Sequence, residues 1–147
     1  MLRYHHVVTI LCIAAIILLI VSIGMPVASA SNQTIEGLPI LLIGWMGIAA
    51  WQFGWFANLM ILWISLKGIA DNAITLRSFL ILIALAANAA NWNEIYVSTG
   101  GLTIRVWHLG YYVWWASIGC VVAASILDFV LRQSYRRWVR TLQFVDN

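Results

Sequence analysis

The chain has 147 residues, of which 63% are hydrophobic and only 9% charged, and it carries a formal net charge of +3. A soluble domain carries about 25% charged residues, so this composition excludes an ordinary soluble domain and leaves no length for one beside a membrane domain. Four apolar runs, 7–24, 39–66, 74–92 and 106–131, hold 91 of the 147 residues, and almost every charge sits outside them. About 20 apolar residues cross the roughly 30 Å hydrocarbon core as a helix. The expected fold is an all-α membrane protein, a bundle of four transmembrane helices in one integral membrane domain.

The first run, Val7 to Gly24, is preceded by Arg3 and followed by Pro26 and Ala28-Ser29-Ala30. That order resembles a signal peptide with its cleavage site, but the run exceeds the usual core of about 7–15 residues. The expectation is a retained span, and the other three runs keep their orientation either way. The first loop, roughly 25–38, is polar and built of small residues. Pro39 suits the first turn of the next helix, where its missing N–H is not needed. Asn32-Gln33-Thr34 has the form of a glycosylation sequon and is read as chance.

The second run carries Gly44, Gly47, Ala50, Gly54 and Ala57 at helical steps, a small-residue face for close helix approach. It also holds the polar residues Gln52 and Asn58. Trp51 and Trp55 share a face with Asn58, which fits either an aromatic-walled pocket for a lipid, a quinone or another flat ligand, or plain space-filling. Lys67 to Ala73 forms a tight second loop, with Gly68 ending one helix and Asp71 or Asn72 capping the next. The third run offers Ala84, Ala87, Asn88 and Asn91. With Asn93 and Glu94, these asparagines suggest either interhelical glue or a polar cleft that opens outward.

Loop three is the one segment expected to form strands. Ile95-Tyr96-Val97-Ser98 and Leu102-Thr103-Ile104-Arg105-Val106 flank Thr99-Gly100-Gly101, a β-hairpin signal. A two-residue turn at Thr99-Gly100 would set Glu94 opposite Arg105. In the fourth run, Gly110, Ser117 and Ala124 recur at heptad spacing as a packing face. Asp128 is the one acid within a run. With Arg132 at i,i+4 it reads as an ion pair at the inner boundary, or as a cation-coupling carboxylate. In the tail, Arg132, Arg136 and Arg140 share a face beside Arg137, opposite Tyr135, Trp138, Val139 and Leu142. This pattern predicts a cytoplasmic interfacial C-terminal helix that meets anionic lipid headgroups. Arginines beside a span are an orientation signal, so nucleic acid is not expected as a partner.

Seven of the eight Lys and Arg fall on the side that carries the N-terminus, the second loop and the tail; only Arg105 falls on the other. By the positive-inside rule both termini are cytoplasmic and loops one and three lie outside. Cys12 and Cys120 have no motif partners, so neither a disulfide nor a zinc site is expected. His5 and His6 point away from one another, and His108 lies across the membrane. No metal site or cofactor is expected, and no Ser–His spacing forms a recognisable catalytic motif.

Gly44-Trp45-Met46-Gly47 and Phe53-Gly54-Trp55-Phe56-Ala57-Asn58, with Gly110-Tyr111-Tyr112 and Trp115-Ala116-Ser117, resemble a pattern in small uncharacterised bacterial four-span inner-membrane proteins. The resemblance covers about half the chain and implies the same architecture and membrane, with no activity to carry over. The chain departs from small multidrug exporters, which need a glutamate in the first span. It lacks the paired loop cysteines of disulfide-relay proteins and the Arg and Glu that surround the central Asn of membrane glutathione transferases. The expectation is a non-enzymatic integral membrane interaction protein, bound to another membrane protein or to itself. An accessory subunit or an immunity protein against a membrane-acting toxin would fit. The alternative is a small oligomeric channel or carrier with an Asn-lined polar path.

Overall fold

The computed structural model describes residues 2–30, 33–70, 74–97 and 100–145. Two long helices form its spine: α1, Leu2–Ile23, and α5, Leu109–Val145. α1 buries Val8, Cys12, Ala15, Leu19 and Ser22, which recur at alternating steps of four and three and so form one seam. α5 answers with Ser117, Ile118, Val121, Ala124 and Ser125. These seams are rich in small side chains, while Ile10, Ile13, Ile17 and Ile20 of α1 point outward. A surface helix of a water-soluble protein carries charged and polar residues on that outer face. Close approach through small residues with bulky aliphatics outside is the arrangement that lipid favours. The segments His5–Ile23 and Leu109–Ser134 are long and apolar enough to cross a membrane.

The middle of the bundle is shorter. Helix α3, Ala57–Ala70, and helix α4, Leu76–Ala90, have 14 and 15 residues, about 21–23 Å at 1.5 Å per residue. They complete the core with Ile61, Ile64, Leu82 and Ala86. Thr75 caps α4 by accepting from the Ser78 amide at 3.2 Å. The expected caps Asp71 and Asn72 lie outside the described residues, as does Asn32 of the sequon.

The second apolar run is not one helix, contrary to the expected span 39–66. It begins as α2, Gly37–Ile43, tightens into a 3-10 helix over Gly44–Ala50, and ends at Trp51 in the left-handed region, φ 59°. Gln52 N–H then bonds Gly47 O at 2.9 Å and Trp51 N–H bonds Ile48 O at 3.0 Å, the paired bonds of a Schellman stop. A second 3-10 turn, Gly54–Phe56, leads into α3. The expected glycine stripe is therefore split. A side chain at Gly44 would meet the Trp55 ring, one at Gly47 would meet Gln52, and one at Gly54 would meet Ala89 of α4. Glycines in helix interiors cost about 1 kcal/mol each, and here their concentration lets the chain turn back.

Four antiparallel strands gather at one end of the bundle in the order β2-β1-β4-β3. β1, Pro26–Ala30, and β2, Gln33–Glu36, come from the first loop, where no strand was expected. β3, Glu94–Val97, and β4, Gly100–Trp107, form the expected hairpin. β1 joins the two loops by pairing with β4, Ala28 opposite Trp107 and Ser29 opposite Val106. The hairpin register differs from expectation: Glu94 pairs with Thr103, not Arg105, and Val97 faces Gly100. The slip is two residues, so it keeps every side chain on its face. Thr99, half of the expected turn, lies outside the described residues. β4 also takes Val106 and Trp107, so the fourth run starts its helix only at Leu109. The basic tail forms no separate helix, because α5 continues through it to Val145.

Candidate functional site

The polar residues of the apolar runs are used mainly to hold the fold. Asn88 sits on α4 opposite the break between α2 and α3. Its Oδ1 accepts from the amides of Phe53 at 2.7 Å and Gly54 at 3.0 Å, and from the Trp92 indole at 3.3 Å. Its Nδ2 donates to Trp51 O at 3.0 Å. A broken helix leaves backbone groups without intrahelical partners, and backbone removed from water must find them elsewhere. Asn88 supplies them from one side chain. Gln52 Nε2 donates to Glu94 O at 2.9 Å and ties the break to β3. Asn91 Nδ2 returns to Ala87 O of its own helix at 2.9 Å. The expected cleft of Asn88, Asn91, Asn93 and Glu94 is thus resolved into separate bonds: Asn93 O accepts from the Ile104 amide, and Glu94 acts through its backbone.

Between this break and α5 lies a cavity of about 80 Å³. Trp55, Trp92, Trp107, Tyr111 and Trp114 line one part of it, with the polar side chains of Asn58 and Ser22. Trp107 stacks on Tyr111 with ring centroids 4.0 Å apart. Trp114 Nε1 donates to Asn58 Oδ1 at 2.7 Å, and Trp55 Nε1 donates to Leu41 O at 2.8 Å. The expected grouping of Asn58 with Trp55 holds. Trp51 does not join it: its ring is 78% exposed on the far side of the break.

At the other end of the bundle, Asp128 is 4% exposed. It receives Arg132 through Nε at 3.0 Å and Nη2 at 2.8 Å, and its Oδ2 also accepts from the Ile74 amide at 3.1 Å. It therefore fastens the start of the α4 segment to α5. Arg132 is more than a third exposed, so solvent screens much of the pair and the Ile74 bond carries comparable weight. The side chains of Arg136, Arg137 and Arg140 lie outside the described residues. Gly110 packs on the Pro26 carbonyl. Ser117 is fully buried in the α5 seam, and its Oγ, like that of Ser65, has no hydrogen-bond partner among the described residues.

One pairing escaped the sequence. Ser29 Oγ and His108 Nε2 lie 2.6 Å apart, although 79 positions separate them. The strand pairing of β1 with β4 brings them together, and a serine in an Ala-Ser-Ala segment gives no hint of it. No acid among the described residues orients the imidazole, so the pair ties strands and lacks the third member of a catalytic set. Both cysteines are free thiols. Among the described residues no group of three or more His, Cys, Asp or Glu is placed to hold a metal. No family model, curated protein or solved structure matches the chain.

Proposed function

We propose that the chain is a non-enzymatic integral membrane protein that works by binding another membrane protein or a second copy of itself. Trp51 carries this reading. It is the one non-glycine residue with positive φ among the described residues, a conformation that costs an ordinary residue about 1–2 kcal/mol. Its ring is nevertheless the most exposed of the large apolar side chains. Leu42, Trp45 and Ile48 extend the same apolar surface from the preceding segment. A lipid anchor needs only a ring at the right depth, which Trp45 provides without strain. A ring held in a costly orientation suits a shaped partner, since strain persists where function uses it.

In this reading α1, α3, α4 and α5 all cross a bacterial inner membrane, both termini are cytoplasmic, and the sheet faces outward. The short α3 and α4 are accommodated by local thinning of the bilayer. Arg132, Arg136, Arg137 and Arg140 meet anionic headgroups at the cytoplasmic face. The architecture is that of the small bacterial four-span proteins the sequence resembles. An accessory subunit and an immunity protein are two versions of the same role. A channel or carrier is disfavoured because, among the described residues, Asn88, Gln52 and Asp128 are spent on backbone partners.

Native mass spectrometry after gentle extraction from the native membrane tests the proposal, with Trp51→Gly as comparison. A stoichiometric foreign protein bound to the unaltered chain and lost from the variant supports the accessory version. A homo-oligomer that the variant dissolves supports self-association. A monomer in both samples overturns the reading.

A further inference from the structure

Beyond any protein partner, the aromatic cavity has the chemistry of a small-ligand site. The assignment of the Asn58 amide follows from its partner. A tryptophan indole can only donate, so the atom 2.7 Å from Trp114 Nε1 must be the oxygen. The amide nitrogen of Asn58 is then left with two N–H groups and no acceptor among the described residues. The indoles of Trp55, Trp92 and Trp114 have already given their protons to protein oxygens. The walls therefore offer apolar ring surface, and the Asn58 amide offers donors that still lack an acceptor.

Water fits this space poorly. A water needs two to four polar partners, and the cavity is lined mostly by apolar side chains, with Asn58 and Ser22 among the few polar ones. An unmet amide beside apolar surface is costly, and the group that relieves it must be apolar apart from an acceptor oxygen. We infer that the cavity binds an apolar molecule that presents a carbonyl oxygen to Asn58 Nδ2 and lays a flat ring or chain against Trp55, Trp107 and Trp114. Both a membrane quinone and the ester of a glycerolipid have this chemistry.

The test uses tryptophan fluorescence of the full chain in phosphatidylcholine nanodiscs. One arm titrates a short-chain benzoquinone, which quenches indoles on contact. The other replaces the lipid with phosphatidylcholine brominated along its chains. Asn58→Asp, measured at alkaline pH so that the carboxyl is ionised, keeps an acceptor for Trp114 and removes the donor. Leu41→Phe fills the cavity from α2 and leaves the Asn58–Trp114 bond in place. Near-UV circular dichroism confirms that each variant is folded. The expected result is saturable quenching that weakens about tenfold in apparent affinity in both variants, the loss expected for one good hydrogen bond. The exposed Trp45, Trp51 and Trp63 set a background common to all three chains, so only quenching that both variants weaken identifies a quinone in the benzoquinone arm or a glycerolipid ester in the brominated arm. Quenching in both arms identifies the shared carbonyl chemistry. Equal quenching of the unaltered chain and both folded variants, or no saturable quenching in either arm, overturns the inference.

Discussion

The α1–α5 pair and the segment from Gly37 to Ala70 are built from similarly apolar sequence, yet one pair makes two unbroken helices and the other folds back on itself. The α1 helix contains no glycine, and its buried seam repeats without interruption. The other segment places glycines at 37, 44, 47 and 54, all before α3 begins. Glycine weakens the helix, but weakness alone would leave bare backbone in an apolar setting. The break persists because α4 brings Asn88 to it, so that Phe53, Gly54 and Trp51 keep hydrogen-bond partners. Hydrophobicity decides that a segment enters the bilayer. Glycine spacing and an outside polar partner decide whether it crosses as a helix.

The sharpest way to break the comparison is to remove that partner. Asn88→Leu strands several backbone groups, each worth about 1–3 kcal/mol when unmet, so a total loss of about 4 kcal/mol is expected in mixed-micelle unfolding. Asn91→Leu, which gives up one bond within its own helix, should lose under about 1 kcal/mol. Similar losses for the two would show that Asn88 is not the support of the break. Next comes Gly54→Ala, whose methyl meets Ala89 and should cost about 2–3 kcal/mol by overpacking. Its control is Gly119 of α5, where no atom lies within 4 Å of an added Cβ. There Ala should raise stability by about 0.5–1 kcal/mol. Thermal unfolding of the two variants in one detergent decides the point.

A smaller effect lies at the opposite end. Asp128→Ala removes the acceptor for Ile74 and the Arg132 contact and should cost about 2 kcal/mol. Asp128→Asn, which keeps an oxygen for Ile74, should cost about half as much, and hydrogen exchange at the Ile74 amide should separate them. The smallest expected change is a gain. Trp51→Gly relieves a left-handed residue worth about 1–2 kcal/mol and returns part of that as chain entropy. Net stabilisation of about 0.5–1 kcal/mol should appear in the same unfolding assay, and a fall in stability would contradict the strain at Trp51.

The long helices were legible because periodicity is local: the α1 and α5 seams can be read from residues three and four apart. The break in the second run leaves one trace in the sequence. A run of 28 residues from Pro39 to Leu66 would make a helix of about 42 Å, more than the bilayer core requires. The hairpin of β3 and β4 was visible from its β-branched flanks, but its register depends on turn geometry that composition leaves open. β1 was invisible because Ala28, Ser29 and Ala30 have no strand character of their own and acquire it only against β4. The polar residues Asn58, Asn88 and Asp128 stood out against their apolar surroundings. The Asp128–Arg132 pair was legible from its i,i+4 spacing, whereas the bonds of Asn58 to Trp114, Asn88 to Phe53 and Asp128 to Ile74 were not, because each joins positions more than 30 apart.

The packing of α1 against α5 also sets a timetable. Synthesis must proceed about 85 residues past the end of α1 before the first turn of α5 exists, and at about 5–20 residues per second that is on the order of ten seconds. Throughout this interval the side of the α1 seam that packs on α5 lacks its final neighbour, although Gly68 of α3 already meets Cys12 and β2 already pairs with β1. In the membrane reading proposed above, the first-made helix waits with its α5-facing side uncovered, held by its native contact with α3 and sheltered by an insertion factor. A nascent chain stalled shortly before Leu109 should be much more sensitive to intramembrane proteolysis than one stalled after Ser134.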